Sequence, residues 1–185
     1  MKKIVIGVGG ASGVVYTHRL LEKLQSVKNI KVDLVFSDHA YINWEIELGP
    51  LPKFLEQYQI WRNSDFMAPF ASGSANYDGL MIVPCSMGLV GKIAAGISDQ
   101  LIPRTADVML KERKKLILMV RETPYNLIHL ENMTTITKAG GIICPASPSF
   151  YSKPKDLNEL LDTIVYRLLD LMEIENNGFR WGKEN

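Results

Sequence analysis

Lys3-Ile-Val-Ile-Gly-Val8 runs directly into Gly9-Gly10-Ala11-Ser12-Gly13, and from there into Val14-Val-Tyr-Thr-His-Arg-Leu20-Leu21-Glu-Lys-Leu24. The first piece has the length and apolar content of a buried strand. The last carries Leu20, Leu21 and Leu24 at the spacing of one helix face, and the amphipathic stretch continues to about residue 27. Between them, glycine permits a tight turn and close backbone approach, and the free amides of the following helix attract phosphate. Strand, glycine-rich turn and helix in this order open an α/β unit.

The alternation continues outward. Residues 31–36 read as a second strand and 38–48 as a helix, broken by Pro50 and Pro52, with one more helical piece at 54–58. Residues 61–77 read as irregular, around Pro69 and Ala71-Ser-Gly-Ser74. A third strand at 79–83 closes in Pro84-Cys85-Ser86. Helices at 87–97 and 103–112 precede a fourth strand at 115–120. Pro124 is expected to open a helix reaching residue 138, residues 141–144 to form the fifth strand, and 157–172 the last helix. Strands alternating with helices, without an internal repeat or a domain boundary, predict one α/β domain over residues 1–185. Its parallel sheet carries helices on both faces.

Composition narrows the function. With 185 residues, 46% hydrophobic, and a net charge of +1, the chain can bury a real core and proposes neither a nucleic-acid nor a membrane surface. Cys85 and Cys144 each follow apolar runs, as small buried hydrophobes do, so a reduced, intracellular protein is expected rather than a disulfide framework. The apolar run before Gly9-Gly10 is too short for a signal peptide and no stretch spans a bilayer, which points to the cytoplasm. His18, His39 and His129 make no ligand spacing, so no metal site is expected.

Chemistry gathers at the strand ends. Gly7-x-Gly9-x-x-x-Gly13 departs from the dinucleotide fingerprint, and the second strand ends Phe36-Ser37-Asp38, with a hydroxyl where an adenosine ribose would want a carboxylate. Ser37 suits a mononucleotide phosphate or ribityl contact, or simply a helix N-cap. Pro84-Cys85-Ser86-Met87-Gly88 repeats that character. Three such turns on one sheet edge favour a bound mononucleotide. Arg104 and Lys111, close to two helical turns apart, point roughly the same way, and the fourth strand delivers Arg121 and Glu122 at its carboxyl end. Cations gathered at such an edge suit an anionic, phosphorylated small molecule. Residues 113–115 read instead as a solvated helix end.

Gly10-Ala-Ser-Gly13, Ala71-Ser-Gly-Ser74, Pro84-Cys-Ser86, Arg104-x-Ala-Asp-Val-x-Leu-Lys-Glu-Arg113, Arg121-Glu-Thr-Pro124, Pro145-Ala-x-Pro-x-Phe-Tyr151 and Arg180-Trp181 follow one another along the chain. In these motifs, and over essentially its whole length, the sequence resembles the flavin prenyltransferases of the UbiX type, formerly described as aromatic-acid carboxy-lyases. The resemblance implies a flavodoxin-like fold assembled as a homododecamer with active sites at subunit interfaces. It implies metal-independent transfer of a dimethylallyl group from dimethylallyl monophosphate to N5 and then C6 of reduced FMN, giving prenylated FMN for a UbiD-type decarboxylase. The flavin contacts it implies are Ala11, Ser12, Gly13, Ser37, Ser86, Met87, Gly88, Leu89 and Arg121. The prenyl phosphate falls to Lys111, Glu122, Tyr151 and Arg167, with Arg104 close by and Trp181 near the prenyl pocket. Glu47 matches the carboxylate that handles the proton lost at C6. Glu45 and Glu47 lie two apart and cannot share a helix face, so only one of them reaches the flavin.

Two other readings compete. Flavin-dependent cysteine decarboxylases share the flavin-binding features but carry Pro-x-Met-Asn, where this chain has Glu131-Asn132-Met133. A flavin-binding electron carrier or accessory subunit would not need Lys111, Glu122, Tyr151 and Arg167 around a second phosphate.

Overall fold

β1 (Lys2–Val8), β4 (Gly79–Cys85) and β5 (Lys115–Val120) are buried over nearly their whole length, which is why each reads as a continuous apolar run. The structure, a computed structural model, describes residues 1–182. With β2 (Ile30–Phe36), β3 (Gln59–Arg62) and β6 (Ile142–Ile143) these strands make one parallel sheet in the order β3-β2-β1-β4-β5-β6. Without the edge strand β3 this is the flavodoxin order. The connections reverse direction between β1 and β4, so a ligand crevice opens outside their carboxyl ends.

Each face of the sheet is covered by three helices. Ile4, Ile6 and Val8 pack with α1 (Val14–Leu24), α2 (Asp38–Leu48) and α6 (Leu157–Leu171). Val5, Val35, Leu80, Ile82, Leu116 and Leu118 pack with α3 (Met87–Ala94), α4 (Leu101–Lys111) and α5 (Leu127–Lys138). Full burial of each such aliphatic side chain contributes about 1.5–3 kcal/mol. Among the described residues no helix is long and apolar enough to cross a membrane.

The departures from the sequence reading have local causes. Gln59–Arg62, partly within the stretch read as irregular, is a strand of four residues paired on β2. It is pinned by Asp33, a fully buried carboxylate inside β2, which accepts from Trp61 Nε1 at 3.1 Å and Tyr77 Oη at 2.7 Å. Burial first, and the bond to Asp33 second, push the Tyr77 phenol well above its ordinary range. α4 starts at Leu101, earlier than expected, because Asn63, in the turn after β3, caps it: its Oδ1 accepts from Ile102 N at 2.9 Å and its carbonyl from Leu101 N at 2.7 Å. α5 starts at Leu127 and not at Pro124, since Asn126 accepts from His129 N at 2.9 Å and sets the N-cap there. α3 ends at Ala94, short of residue 97.

α1 and α6 are joined by charge. The Asp162 side chain, 9% exposed, accepts from Arg19 Nε at 2.9 Å and Nη2 at 2.7 Å, and Lys23 Nζ stands 2.8 Å from it. Burial alone would raise the Asp162 carboxyl, but the bonds from Arg19 and Lys23 outweigh it and hold it below the usual range. Asp162→Asn is expected to cost about 2–3 kcal/mol in urea denaturation at pH 7, because two cations lose their charge-assisted partner. A depressed folded-state value means this stabilisation is complete above the unfolded carboxyl value and is lost as pH falls through the folded one. The gap between wild type and variant therefore narrows below about pH 4.

Candidate functional site

The first turn is held open by its glycines and tied to its neighbours. Gly13 has φ 109°, in the left-handed region, and ends the turn at the first residue before α1. Gly9 N donates to the Pro84 carbonyl at 3.0 Å, and a Cβ at Gly9 would stand 2.6 Å from that oxygen. Gly9→Ala is therefore expected to destabilise the protein by about 2 kcal/mol, read as a lower urea midpoint with an unchanged slope.

The turns after β1, β2, β4 and β5 meet at the carboxyl edge. Ser37 accepts from Ala40 N at 3.2 Å as the N-cap of α2, and Ser86 from Leu89 N at 3.4 Å as the N-cap of α3. Arg121 reaches back from β5 and donates from Nε to the Ser12 carbonyl at 3.1 Å. Ser12 is exposed while Ala11 is buried, so Ala11 can offer a ligand only main-chain atoms. The same holds for Met87, whose side chain is in the core. Gly88 is exposed, and a Cβ there would meet nothing within 4 Å, which leaves open space at the amino end of α3. Hydroxyls, main-chain amides, one arginine and this open space fit a flavin mononucleotide laid across the β1–β4 crevice.

α2 leans on the first turn through one stripe. Asn43 Nδ2 donates to the Gly10 carbonyl at 3.0 Å. One turn further on, the Glu47 carboxylate accepts from Gly13 N at 2.9 and 3.0 Å and from Val14 N at 3.1 Å. Glu45 points away and is exposed. The i, i+4 spacing of Asn43 and Glu47 was the signal available in the sequence for which carboxylate faces the turn.

The cations do not all meet. Arg104, in the first turn of α4, donates from Nε to the Ala71 carbonyl at 3.1 Å and from Nη1 to Asp107 at 3.0 Å. Lys111 ends α4 at the opposite, amino edge of the sheet, four residues before β5 begins, and pairs with Glu112. The expectation that Lys111 joins Arg121 and Glu122 at one edge is thus corrected for a single chain. The whole length of β5, about 20 Å, separates them. Arg104 and Lys111 share a helix face, but α4 runs antiparallel to the strands and carries the two toward opposite edges of the sheet.

Tyr151, Arg167 and Trp181 do come together. They line a groove of about 710 Å³ between the loop after β6, α6 and the chain beyond α6. Ser149 N donates to Thr163 Oγ1 at 3.2 Å, fixing the loop to the helix. Arg167 is exposed and has no hydrogen-bond partner among the described residues. Cys85 is fully buried, and burial pushes its thiol far up, so it stays protonated and is no nucleophile at neutral pH. Among the described residues no group of three or more His, Cys, Asp or Glu could hold a metal ion.

Comparison with known proteins bears on this geometry. The profile of the Flavoprotein family matches residues 1–169. A flavin prenyltransferase UbiX of Methanocaldococcus jannaschii is 44% identical, over 97% of this chain and 98% of that protein. The crystal structure of AnUbiX (PadA1) in complex with FMN and dimethylallyl pyrophosphate superposes with a TM-score of 0.89 at 38% identity, covering 97% of this chain and 99% of that one. A dodecameric FMN-dependent UbiX-like decarboxylase from Escherichia coli O157:H7 gives a TM-score of 0.92 at 34% identity, over 98% of this chain and 100% of that one.

Proposed function

Since this chain belongs to the flavin prenyltransferases of the Flavoprotein family, we propose that it transfers a dimethylallyl group from dimethylallyl monophosphate to reduced FMN. The observation that carries the reading is the convergence of Ser12, Ser37, Ser86, Arg121 and the Glu47 carboxylate on one crevice. Reduced FMN supplies the nucleophilic N5 and C6 and is consumed as the prenyl acceptor.

The residues divide the work. Ser37, Ser86, Arg121 and the main chain of Ala11, Ser12 and Met87 to Leu89 bind and orient the flavin, while Gly13 gives the turn its backbone conformation and its amide to Glu47. Cleavage of the allylic C–O bond places negative charge on the departing phosphate, which Arg167 and Tyr151 stabilise together with Lys111 of a neighbouring copy, with Arg104 nearby. Glu122, next to Arg121 after β5, orients the neighbouring copy's Lys111 or a protonated phosphate. The Tyr151 and Trp181 rings tolerate the positive charge developing on the allyl fragment. N5 loses its proton as it is alkylated; ring closure then consumes the allyl double bond, whose one carbon gains a proton while the other bonds to C6, and Glu47 takes the proton released from C6 as aromaticity returns.

Assembly completes the site in this reading. α2 leaves Ile42 and Ile46 exposed, and α5 leaves Leu127, Ile128 and Leu130 exposed, which is the character of faces covered by other copies of the chain. A homododecamer is the proposed form, in keeping with the dodecameric Escherichia coli protein. The prenylated FMN then passes, in the cytoplasm, to a decarboxylase of the UbiD type.

Anaerobic incubation of the purified protein with reduced FMN and dimethylallyl monophosphate, followed by mass analysis of the released flavin, tests the proposal. A gain of one C5H8 unit is expected. Unchanged FMN with donor bound would leave an accessory flavin-binding role instead.

A further inference from the structure

Beyond α6 the chain turns back and lies along the helix it has just left. Ile174 is buried, and its amide donates to the Leu169 carbonyl at 2.8 Å. Gly178 then passes so close to Tyr166 that a Cβ on it would stand 2.6 Å from the Tyr166 Cβ. Past that point one carboxylate gathers the segment. Arg180 donates from Nη1 to Asp170 Oδ2 at 3.0 Å and from Nη2 to Oδ1 at 2.8 Å, a bidentate fork. Asn176 donates to Asp170 Oδ1 at 2.8 Å and accepts from Arg180 Nη2 at 3.2 Å and Gly178 N at 2.9 Å. The next residue is Trp181, whose ring meets Tyr151 edge-on with centroids 5.0 Å apart. Both rings line the groove that Arg167 also lines.

We propose that Asp170, Asn176 and Arg180 form a latch that sets Trp181 against Tyr151, so that the two rings close the groove over the anionic donor held by Arg167. The proposal rests on reading that groove as the donor site. Arg180 lines the groove but its charge is already matched by Asp170, whereas Arg167 is unpaired among the described residues and is the cation left for phosphate. The three latch residues are positioning residues. Trp181 is 78% exposed and Tyr151 69%, so little besides their mutual contact and the adjacent fork fixes the indole. A tethered indole spares the donor the ordering of that side chain on binding. The Asp170–Arg180 pair is itself partly exposed, so breaking it disturbs the fold little and leaves the effect on the donor legible.

The test compares Arg180→Gln and Asp170→Asn with wild type in steady-state prenylation. Acrylamide quenching of Trp181 is read in parallel, as the difference between each protein and its Trp181→Phe counterpart. The latch predicts a KM for dimethylallyl monophosphate raised about tenfold with kcat changed by less than about twofold. It also predicts an unchanged melting temperature and a more readily quenched Trp181. Exchanging the charges, Asp170→Arg with Arg180→Asp, should return KM part of the way. An unchanged KM with Trp181 freed would overturn the latch, and so would a KM effect that tracks a lowered melting temperature and ignores the charge exchange. Arg167→Ala separates the two levels: if it leaves the donor KM unaltered, the groove is not the donor site and both readings fall. If Arg167→Ala raises KM while the latch variants do not, only the latch falls.

Discussion

Glu47→Gln is expected to keep FMN bound while lowering formation of prenylated FMN by about 100-fold or more, the usual range for loss of a positioned base. The geometry motivates both halves. Main-chain amides of Gly13 and Val14 orient the carboxylate, at 2.9 to 3.1 Å, and glutamine keeps an acceptor for them but cannot take up a proton. A carboxylate offers about four acceptor sites, so these contacts leave one oxygen lone pair free for the flavin edge. Glu45→Gln, on an exposed position, should stay within about twofold of wild type. Flavin fluorescence titration reads the first property and mass analysis of released flavin the second. A normal rate for Glu47→Gln beside a slow Glu45→Gln would reverse the assignment.

Lys111→Ala and Arg121→Ala, each nearly inactive alone, should regain about a quarter of wild-type activity when co-assembled at random. The reasoning is positional. Lys111 ends α4 at the amino edge of the sheet and Arg121 follows β5 at the carboxyl edge, so one chain cannot bring both to one ligand. A neighbouring copy can, and then a working site needs Lys111 from one variant and Arg121 from the other. Doubly tagged oligomers, purified through both tags and assayed for prenylated FMN, give the answer. Activity no higher than the mean of the two parents would mean that Lys111 completes no neighbour's site.

Much of this protein is legible in consecutive residues. Continuous apolar runs at residues 3–8, 79–83 and 115–120 announced central strands, because a strand covered on both faces has no polar side to alternate with. The glycine-rich turn and the serines Ser37 and Ser86 announced the first two strand-to-helix turns and the one after β4, because such turns need short, hydrogen-bonding residues whatever follows. Those are local demands, written into consecutive residues, and the ordered motifs from Gly10 to Trp181 added the family.

What the sequence by itself determined was therefore the fold class, the family and the kind of chemistry. The tertiary structure alone decided matters that depend on direction and distance. The edge strand β3 exists because Asp33, Trp61 and Tyr77 bond across 44 residues of chain, a pairing invisible in four residues of mixed character. Glu47 and not Glu45 meets the first turn because α2 crosses it at one angle, which sets which face is inward. Arg104 and Lys111 share a face of α4 yet serve opposite edges of the sheet. The latch of Asp170, Asn176 and Arg180 forms only because Gly178 lets residues 176–181 fold back on α6. Periodicity fixes which way a side chain turns about its own element. Only the packing of elements fixes what it meets.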